Sequence, residues 1–236
     1  MNPPRPRKAS PKIGTLNEKP LHEALKKWYA RPKDKFEVPV DGSVVDIVRG
    51  KQLIEIQTKN FAAIRRKLEK LLVNHKVRLV YPIAQEKWIL KQPPDTGGKA
   101  TRRRSPKRGA YQDVINELIR IPHLLAHPNF SLDLLLIGEE EVRRYDGFRG
   151  WRRGFWVTDE RRLINVLEHR IFISPSDLAA FLPADIPTPF TTADLAKAVS
   201  KTKNFAQKMV YCLKLAGCIS PVGKSGNSIL YSRSDD

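Results

Sequence analysis

The chain has only two cysteines, Cys212 and Cys218, and both stand among apolar residues. Two thiols in that setting exclude a disulfide framework, and they lack the spaced partner ligands of a structural zinc site. The sequence therefore predicts two buried free thiols.

Long apolar runs are also missing, because no segment approaches the roughly 20 apolar residues that a membrane-spanning helix needs. The sequence predicts no membrane span. Residues 1–8 are rich in proline and basic residues and contain no apolar signal region, which favours a cytoplasmic location.

Acidic residues are scarce: 25 aspartates and glutamates stand against 43 lysines and arginines, for a formal charge of +18. So basic a chain indicates a polyanionic partner. DNA is the first choice, and an anionic membrane surface is the weaker alternative. Apolar residues still make up 41% of the 236 residues, which is enough for a packed core.

Two of the few acids fall in a β-rich stretch. Two β-branched runs flank Gly50-Lys51 and predict antiparallel strands joined by a two-residue loop. With that loop, Arg49 pairs with Gln52 and Asp46 lies opposite Glu55. Like charges across a ladder repel, so a divalent cation between these carboxylates is the interpretation that we favour. The alternative is an acidic row that is exposed to water or paired with lysine and arginine.

A third strand at 35–40 precedes this hairpin and is joined to it by Asp41-Gly42, a strong two-residue turn signal. One face of the three strands is predicted to be an apolar layer of Phe36, Val38, Val45, Ile47, Ile54 and Ile56. The opposite face collects the acids together with one amide: Glu37, Asp46, Glu55 and Gln57.

Helices flank the three strands. The first runs from Thr15 to about Ala30, opens with a Thr15/Glu18 capping box, and is predicted to bury Leu21, Leu25 and Trp28. Glu18 falls within the buried arc, so it either faces the interior or only caps the helix.

A second helix is predicted at 61–73, with its basic stripe facing outward. A strand at 77–83 then pairs in parallel with the third strand through this helical crossover, and 86–91 adds a fifth strand. The element order from 15 to 91 is therefore α-β-β-β-α-β, an α/β fold.

The rest of the chain divides by composition. Residues 1–14 form a basic tail that is predicted to be disordered, and 15–91 form the α/β core. Residues 92–109 form a basic linker, which is either a solvated connector or a phosphate-binding segment through Arg102, Arg103, Arg104, Lys107 and Arg108.

Residues 110–186 are predicted to extend the core as an α+β region. Its elements are a helix at 110–121, a strand at 131–137, a hairpin through 139–156, and helices near 160–168 and 175–182. The prolines at 183, 187 and 189 mark its boundary with the last segment.

Residues 187–236 read as a helix, a turn, a longer helix and a β-hairpin, an order that resembles a winged helix. That resemblance implies that the second helix enters the major groove of DNA. The DNA-facing residues would then be Lys203, Asn204, Gln207 and Lys208, with Lys224 in the wing. A winged helix used for protein contacts is the alternative.

The α-β-β-β-α-β order, the aspartate on the second strand and the Glu-x-Gln on the third make residues 15–91 resemble the PD-(D/E)XK nuclease superfamily, the restriction-endonuclease-like fold. The resemblance implies that Asp46 and Glu55 bind Mg²⁺, with Glu18 as the additional acid of the first helix. The family usually has lysine where this chain has Gln57. Lys59 is the first substitute for that charge, and Arg65 is a weaker one.

These features predict a Mg²⁺-dependent DNA endonuclease or nuclease-like protein. The resemblance also allows a homodimer, since nucleases of this fold that cut duplexes commonly act as dimers. A non-catalytic DNA-binding regulator and a protein-binding scaffold are the alternatives. Asp46 and Glu55 would bind the metal, Glu18 would assist, and Gln57 or Lys59 would position the water.

Overall fold

The structure of the chain is a computed structural model, which describes residues 20–93 and 97–234. Within them the helices are α1 (Pro20–Tyr29), α2 (Phe61–Leu72), α3 (Ile115–Leu118), α4 (Thr192–Ala198) and α5 (Lys203–Leu215). The strands are β1 (Lys35–Val40), β2 (Ser43–Arg49), β3 (Gln52–Ile56), β4 (Lys76–Gln92), β5 (Thr101–Arg104), β6 (Phe130–Tyr145), β7 (Trp156–Phe172), β8 (Ile219–Ser225) and β9 (Ser228–Arg233). The predicted tail and Glu18 lie outside the described residues.

Seven of the described strands form one mixed sheet in the order β1-β2-β3-β4-β6-β7, with β5 paired to the distal part of β4. The first three strands form the predicted antiparallel meander, with tight turns at Asp41-Gly42 and Gly50-Lys51. Gly50 has a φ of 58°, a left-handed value that glycine adopts without strain. After α2, β4 runs parallel to β3, as the crossover predicts. The α/β class is confirmed.

The two faces of the sheet carry separate apolar clusters. On one face, α1 packs Leu21, Leu25 and Tyr29 against β2, β3, β4 and β6. On the other face, α2 and α3 cover the sheet, and the same cluster continues into α5 and the β8–β9 hairpin. None of the described helices is both long and apolar enough to cross a membrane.

The predicted apolar layer of the meander is wrong in two places. Phe36 is 46% exposed on β1, which is the edge strand of the sheet. Val45 belongs to the cluster on the α2 side, whereas Ile47, Ile54 and Ile56 pack on the α1 side. On α1, the predicted core residue Trp28 is exposed and Tyr29 is buried in its place.

The strands beyond the meander are longer than predicted. The predicted fourth and fifth strands are one strand, β4, with a register shift between Ala84 and Glu86. Part of the predicted linker is β5. The predicted helix at 160–168 is wrong, because these residues lie in β7, which pairs with β6 along almost its whole length. At 176–181 the helix is a 3₁₀ segment.

A buried hydrogen bond joins α1 to the sheet. The Tyr29 hydroxyl donates to Asp133 Oδ2 at 2.7 Å, and Asp133 is fully buried on β6. Burial raises the pKa of Tyr29 to about 12, and the Asp133 charge adds to the effect, so the hydroxyl stays a proton donor at neutral pH.

Replacing Tyr29 by phenylalanine leaves a buried carboxylate oxygen without this donor. We expect the Tyr29→Phe variant to lose about 2 kcal/mol of unfolding free energy in urea denaturation. The matched control is Tyr211→Phe, because Tyr211 is exposed on α5. Equal losses in the two variants would show that the Asp133 contact contributes nothing.

Candidate active site

The β2–β3 hairpin brings Asp46 and Glu55 together. Its ladder pairs Arg49 with Gln52 and Ile47 with Ile54, and it ends one residue short of Asp46 and Glu55. The backbone N–H of Ile56 donates to Asp46 Oδ2 at 2.8 Å, which ties the carboxylate of β2 to β3. The hairpin therefore brings the Asp46 carboxylate to the β3 backbone next to Glu55, close enough for its charge to raise the pKa of Glu55.

The two carboxylates lie deeper than an acidic row exposed to water. Glu55 is only 2% exposed, while Asp46 keeps a partly open side chain. Glu37 does not share their surroundings, because it accepts a hydrogen bond from Lys26 of α1 at 2.8 Å. The predicted acidic face is thus reduced to a recessed pair, with Asp46 as its outer member.

A lysine from α2 completes the pair. Lys67 Nζ lies 2.5 Å from Glu55 Oε1 and also donates to the Val44 carbonyl oxygen at 2.5 Å. Lys67 belongs to the basic stripe of α2 that the sequence predicts to face outward, so its contact with Glu55 is not predicted. Its position was the available signal, because Lys67 follows Ile64 by three residues and precedes Leu71 by four, at the border of the buried stripe.

His22 of α1 contacts the pair from the other side. Its Nε2 lies 3.3 Å from Asp46 Oδ2. No sequence motif marks His22, and the available signal is its place one turn before the buried Leu25 and Lys26. Asp46 is thus held by groups from both α1 and β3.

The environment drives the pKa values of the two acids apart. Burial raises the pKa of Glu55 to about 7, and the neighbouring Asp46 charge adds to the effect, while Lys67 opposes it only in part. Burial also acts on Asp46, but the hydrogen bonds from His22 and the Ile56 N–H outweigh it and lower the pKa of Asp46. Such a divergent pair of carboxyls is typical of sites that handle protons or cations.

Three predicted residues do not join the pair. Gln57 donates from Nε2 to the carbonyl oxygens of Lys59, at 2.5 Å, and Asn60, at 3.1 Å, so its amide closes the β3–α2 loop. Lys59 is exposed in that loop. Arg65 on α2 pairs with Glu69 at 3.8 Å. The cation that contacts Glu55 comes from Lys67 instead.

The donor set suits a magnesium ion bound partly by solvent and substrate. In the described residues no group of three or more histidine, cysteine, aspartate or glutamate side chains is placed to hold a metal. Mg²⁺ commonly takes only one or two carboxylates from the protein and fills its octahedron with water and phosphate oxygens. Asp46 keeps a partly open side chain, through which water and a phosphate oxygen would reach an ion held by the pair. The two carboxylates therefore fit the ion.

A basic cleft of about 440 Å³ lies along the middle of β4, at residues 81–87. Its cationic lining consists of Lys87, Lys107, Arg108, Arg161 and Lys201, and Asp113 is the acid that it contains. Arg161 Nη1 donates to the carbonyl oxygen of Thr58, three residues after Glu55, at 3.0 Å. Through this contact the cleft adjoins the carboxyl end of β3, and the carboxyl ends of strands are the usual place for ligands in open α/β sheets.

The residues predicted to bind phosphate in the linker divide into two groups. Lys107 and Arg108 line the cleft. Arg102 pairs with Glu140 at 2.7 Å and Arg104 pairs with Glu86, so both are fixed to the sheet. Arg103 is exposed on β5 between them.

The residues predicted to face DNA from the C-terminal segment also divide. Lys203, Asn204 and Gln207 are exposed on α5, and Lys224 is exposed on β8. Lys208 turns toward α3 instead, since its Nζ donates to Asn116 Oδ1 at 3.1 Å. A second cleft, of about 390 Å³, lies between α5 and the β8–β9 hairpin, and its lining includes Lys203, Gln207, Tyr211 and Lys214.

Comparison with known proteins gives a family but no activity. The family described as "Domain of unknown function (DUF8091)" matches residues 19–173, which include every strand of the large sheet and the Asp46, Glu55 and Lys67 cluster. An uncharacterized protein of Treponema pallidum (strain Nichols) is 30% identical over 224 residues, covering 94% of this chain and 87% of the relative. No solved structure matches the chain at a significant level. On the extent of the family match, which covers more than half of its residues, the chain belongs to the DUF8091 family.

Proposed function

We propose that the chain is a Mg²⁺-dependent nuclease that hydrolyses phosphodiester bonds in DNA, with its centre at Asp46, Glu55 and Lys67. The observation that carries the proposal is the meeting of two carboxylates on neighbouring strands with a lysine ammonium 2.5 Å from one of them. A lysine beside the acids is the group that the PD-(D/E)XK resemblance requires and that Gln57 does not supply. Lys67 supplies that charge from α2.

Each residue of the cluster has a role in the proposal. Asp46 and Glu55 would hold the metal, and bound Mg²⁺ would supply positive charge for the phosphodiester. Lys67 fixes the Glu55 carboxylate and places a second positive charge beside it. His22 and the Ile56 N–H keep Asp46 ionised and oriented. Lys107 and Arg108 of the basic cleft would bind backbone phosphates.

The direct test is cleavage of supercoiled plasmid and linear duplex by the purified full chain with Mg²⁺ or Mn²⁺. We expect Asp46→Asn and Lys67→Met each to reduce the cleavage rate about 100-fold or more. Asp41→Asn is the matched control, because Asp41 lies at a hairpin turn with a φ of 48°, which asparagine tolerates. A wild-type chain that cuts nothing with either metal would refute the proposal, and so would full activity in Asp46→Asn.

A second candidate function is DNA binding without cleavage, through α4, α5 and the β8–β9 hairpin arranged as a winged helix. The exposed Lys203, Asn204 and Gln207 on α5 favour it, as does the adjoining cleft that Lys203 and Lys214 line. The same experiment separates the two functions. Salt-dependent DNA binding by a chain that shows no cleavage would favour the second candidate.

A further inference from the structure

The loop between β6 and β7, residues 146–155, exposes two large aromatic rings. Phe148 is 91% exposed and Trp151 is 70% exposed, the two highest values among the large apolar side chains of this loop and its neighbouring strands. Large apolar rings at a loop tip leave hydrophobic surface in water. Neither ring contributes to the two core clusters.

The loop that carries these rings has a defined conformation. Asp146 Oδ1 accepts the backbone N–H of Arg149 at 2.9 Å, and the Gly150 carbonyl accepts those of Arg153 at 2.7 Å and Phe155 at 3.0 Å. Gly150 has a φ of 77°, and a Cβ at this position would lie 2.9 Å from the Trp156 carbonyl oxygen. The loop is therefore hydrogen-bonded into one shape that projects Phe148 and Trp151 outward.

The base of the loop is also built from aromatic rings. Tyr145 meets Trp156 and Phe155 edge to face, with centroids 5.8 and 6.3 Å apart. The Lys91 ammonium lies 4.7 Å from the Trp156 ring. The ring contacts pack the base of the loop, and the Lys91 contact pairs a cation with one of these rings.

The tip is strongly basic. Arg149, Arg152 and Arg153 lie within the loop, and the Arg152 guanidinium sits 5.1 Å from the Trp151 ring centroid. Arg149 approaches Asp146 at 4.0 Å, but no ion pair joins Arg152 or Arg153 to an acid in the described part of the chain. The tip therefore presents planar rings alongside positive charges that are not neutralised locally.

We propose that this loop binds single-stranded nucleic acid, with Phe148 and Trp151 stacking on bases and Arg149, Arg152 and Arg153 neutralising phosphates. Single strands offer what this tip complements, namely unstacked planar bases spaced along a chain of negative charges. Cations lie against two rings of this region, at Arg152–Trp151 and Lys91–Trp156, and cation–ring contacts of this kind are common on surfaces that bind single strands. The site is separate from the Asp46 cluster and does not rest on the proposed cleavage.

The test is fluorescence anisotropy of a labelled oligothymidylate with the full chain in EDTA, so that binding is measured without metal and cleavage does not enter. We expect the Phe148→Ala/Trp151→Ala double variant to bind the oligonucleotide at least about tenfold more weakly, because the affinity gained from stacking bases on the two rings would be lost. The matched control is Trp28→Ala/Phe36→Ala, since these rings are exposed on α1 and β1. Thermal unfolding of each variant reports whether it is folded.

The arginines give an independent readout. Binding is measured at several salt concentrations, and the logarithm of the affinity is plotted against the logarithm of the salt concentration. We expect Arg152→Ala/Arg153→Ala to make this slope shallower by about 1.4, the value for two phosphate contacts on a single strand. The ring variant should leave that slope unchanged. Unaltered binding in a folded ring variant, or an equal loss in the Trp28/Phe36 control, would overturn the proposal. If the ring variant bound phosphatidylserine vesicles more weakly but kept its affinity for the oligonucleotide, the proposal would be overturned in favour of a membrane surface.

Discussion

Replacing Arg161 by methionine is expected to lower the free energy of unfolding by about 3 kcal/mol. Arg161 Nε donates to Glu139 Oε2 at 2.8 Å, and its Nη2 contacts the same oxygen. Glu139 lies on β6 with no exposed surface at all. Methionine fills a similar volume but leaves this carboxylate with one cationic partner fewer in a site that water does not reach.

The remaining partner cannot fully compensate. Lys87 Nζ lies 3.0 Å from Glu139 Oε1, but the contact lacks hydrogen-bond geometry, and the same ammonium also serves Glu141 at 3.1 Å. Burial raises the pKa of Glu141, but hydrogen bonds from Arg143, Thr158 and Lys87 outweigh it and lower that pKa to about 2. Glu141 therefore stays charged at neutral pH and continues to hold Lys87.

A double-mutant cycle separates the ion pair from packing. If the loss in Arg161→Met comes from an unpaired buried charge, Glu139→Met/Arg161→Met should recover a large part of it, because both charges are then removed. Arg162→Met is the matched control: Arg162 is half-exposed on the same strand beside Glu140 and Glu160, and its loss should stay within about 1 kcal/mol. Equal losses for Arg161→Met and Arg162→Met, measured by urea denaturation, would contradict the argument.

The parts of the fold that the sequence predicts are those fixed by local chemistry. Asp41-Gly42 and Gly50-Lys51 set the turns of the meander, and the registers that follow from them are the ones observed. The apolar spacing of α2 predicts its buried face for the same reason. Asp46 and Glu55 could be paired from sequence because only a two-residue turn separates their strands.

The errors arise where tertiary context overrides local pattern. β7 is an edge strand with many exposed charged residues, and the helix predicted at 160–168 lies within it. The two strands predicted at 77–83 and 86–91 are one strand, β4, and the gap between them coincides with its register shift between Ala84 and Glu86. Edge position and bulges are properties of the assembled sheet, so a single segment does not reveal them.

The candidate active site likewise combines residues placed by local sequence with residues placed by tertiary packing. Lys67 and His22 come from helices on opposite faces of the sheet, and their approach to Glu55 and Asp46 depends on how α2 and α1 pack. No spacing within one element links them to the hairpin. The sequence therefore supplied the carboxylates, and only the packed structure supplied the cation and the imidazole.

Replacing Glu55 by glutamine is expected to stabilise the chain at pH 8 while abolishing the proposed cleavage. Burial and the Asp46 charge raise the pKa of Glu55 from 4.5 to about 7 in the folded state. Between these values the folded chain binds more protons at this site than the unfolded chain. The stability that protonated Glu55 contributes is therefore fully present below pH 4.5 and is lost as the pH rises through 7.

The size of this loss follows from the shift and is on the order of 3 kcal/mol. Glutamine does not ionise, so the difference in unfolding free energy between Glu55→Gln and wild type should grow from pH 5 to pH 8 and favour the variant at the upper end. Urea denaturation of both proteins across that range measures it. Asp34→Asn is a suitable contrast, because Arg49 lowers the pKa of Asp34, and that variant should lose stability at pH 8.

The sign of the Glu55 result bears on why the acid is present. A glutamate placed only for structure should not lower stability at neutral pH, whereas one that holds a cation can do so, since bound metal would offset the repulsion from Asp46. Added Mg²⁺ should accordingly raise the stability of wild type at pH 8 and leave Glu55→Gln nearly unchanged. A wild-type chain as stable as Glu55→Gln at pH 8 without metal, and indifferent to Mg²⁺, would mean that Lys67 already satisfies Glu55 and that the pair is a buried ion pair alone.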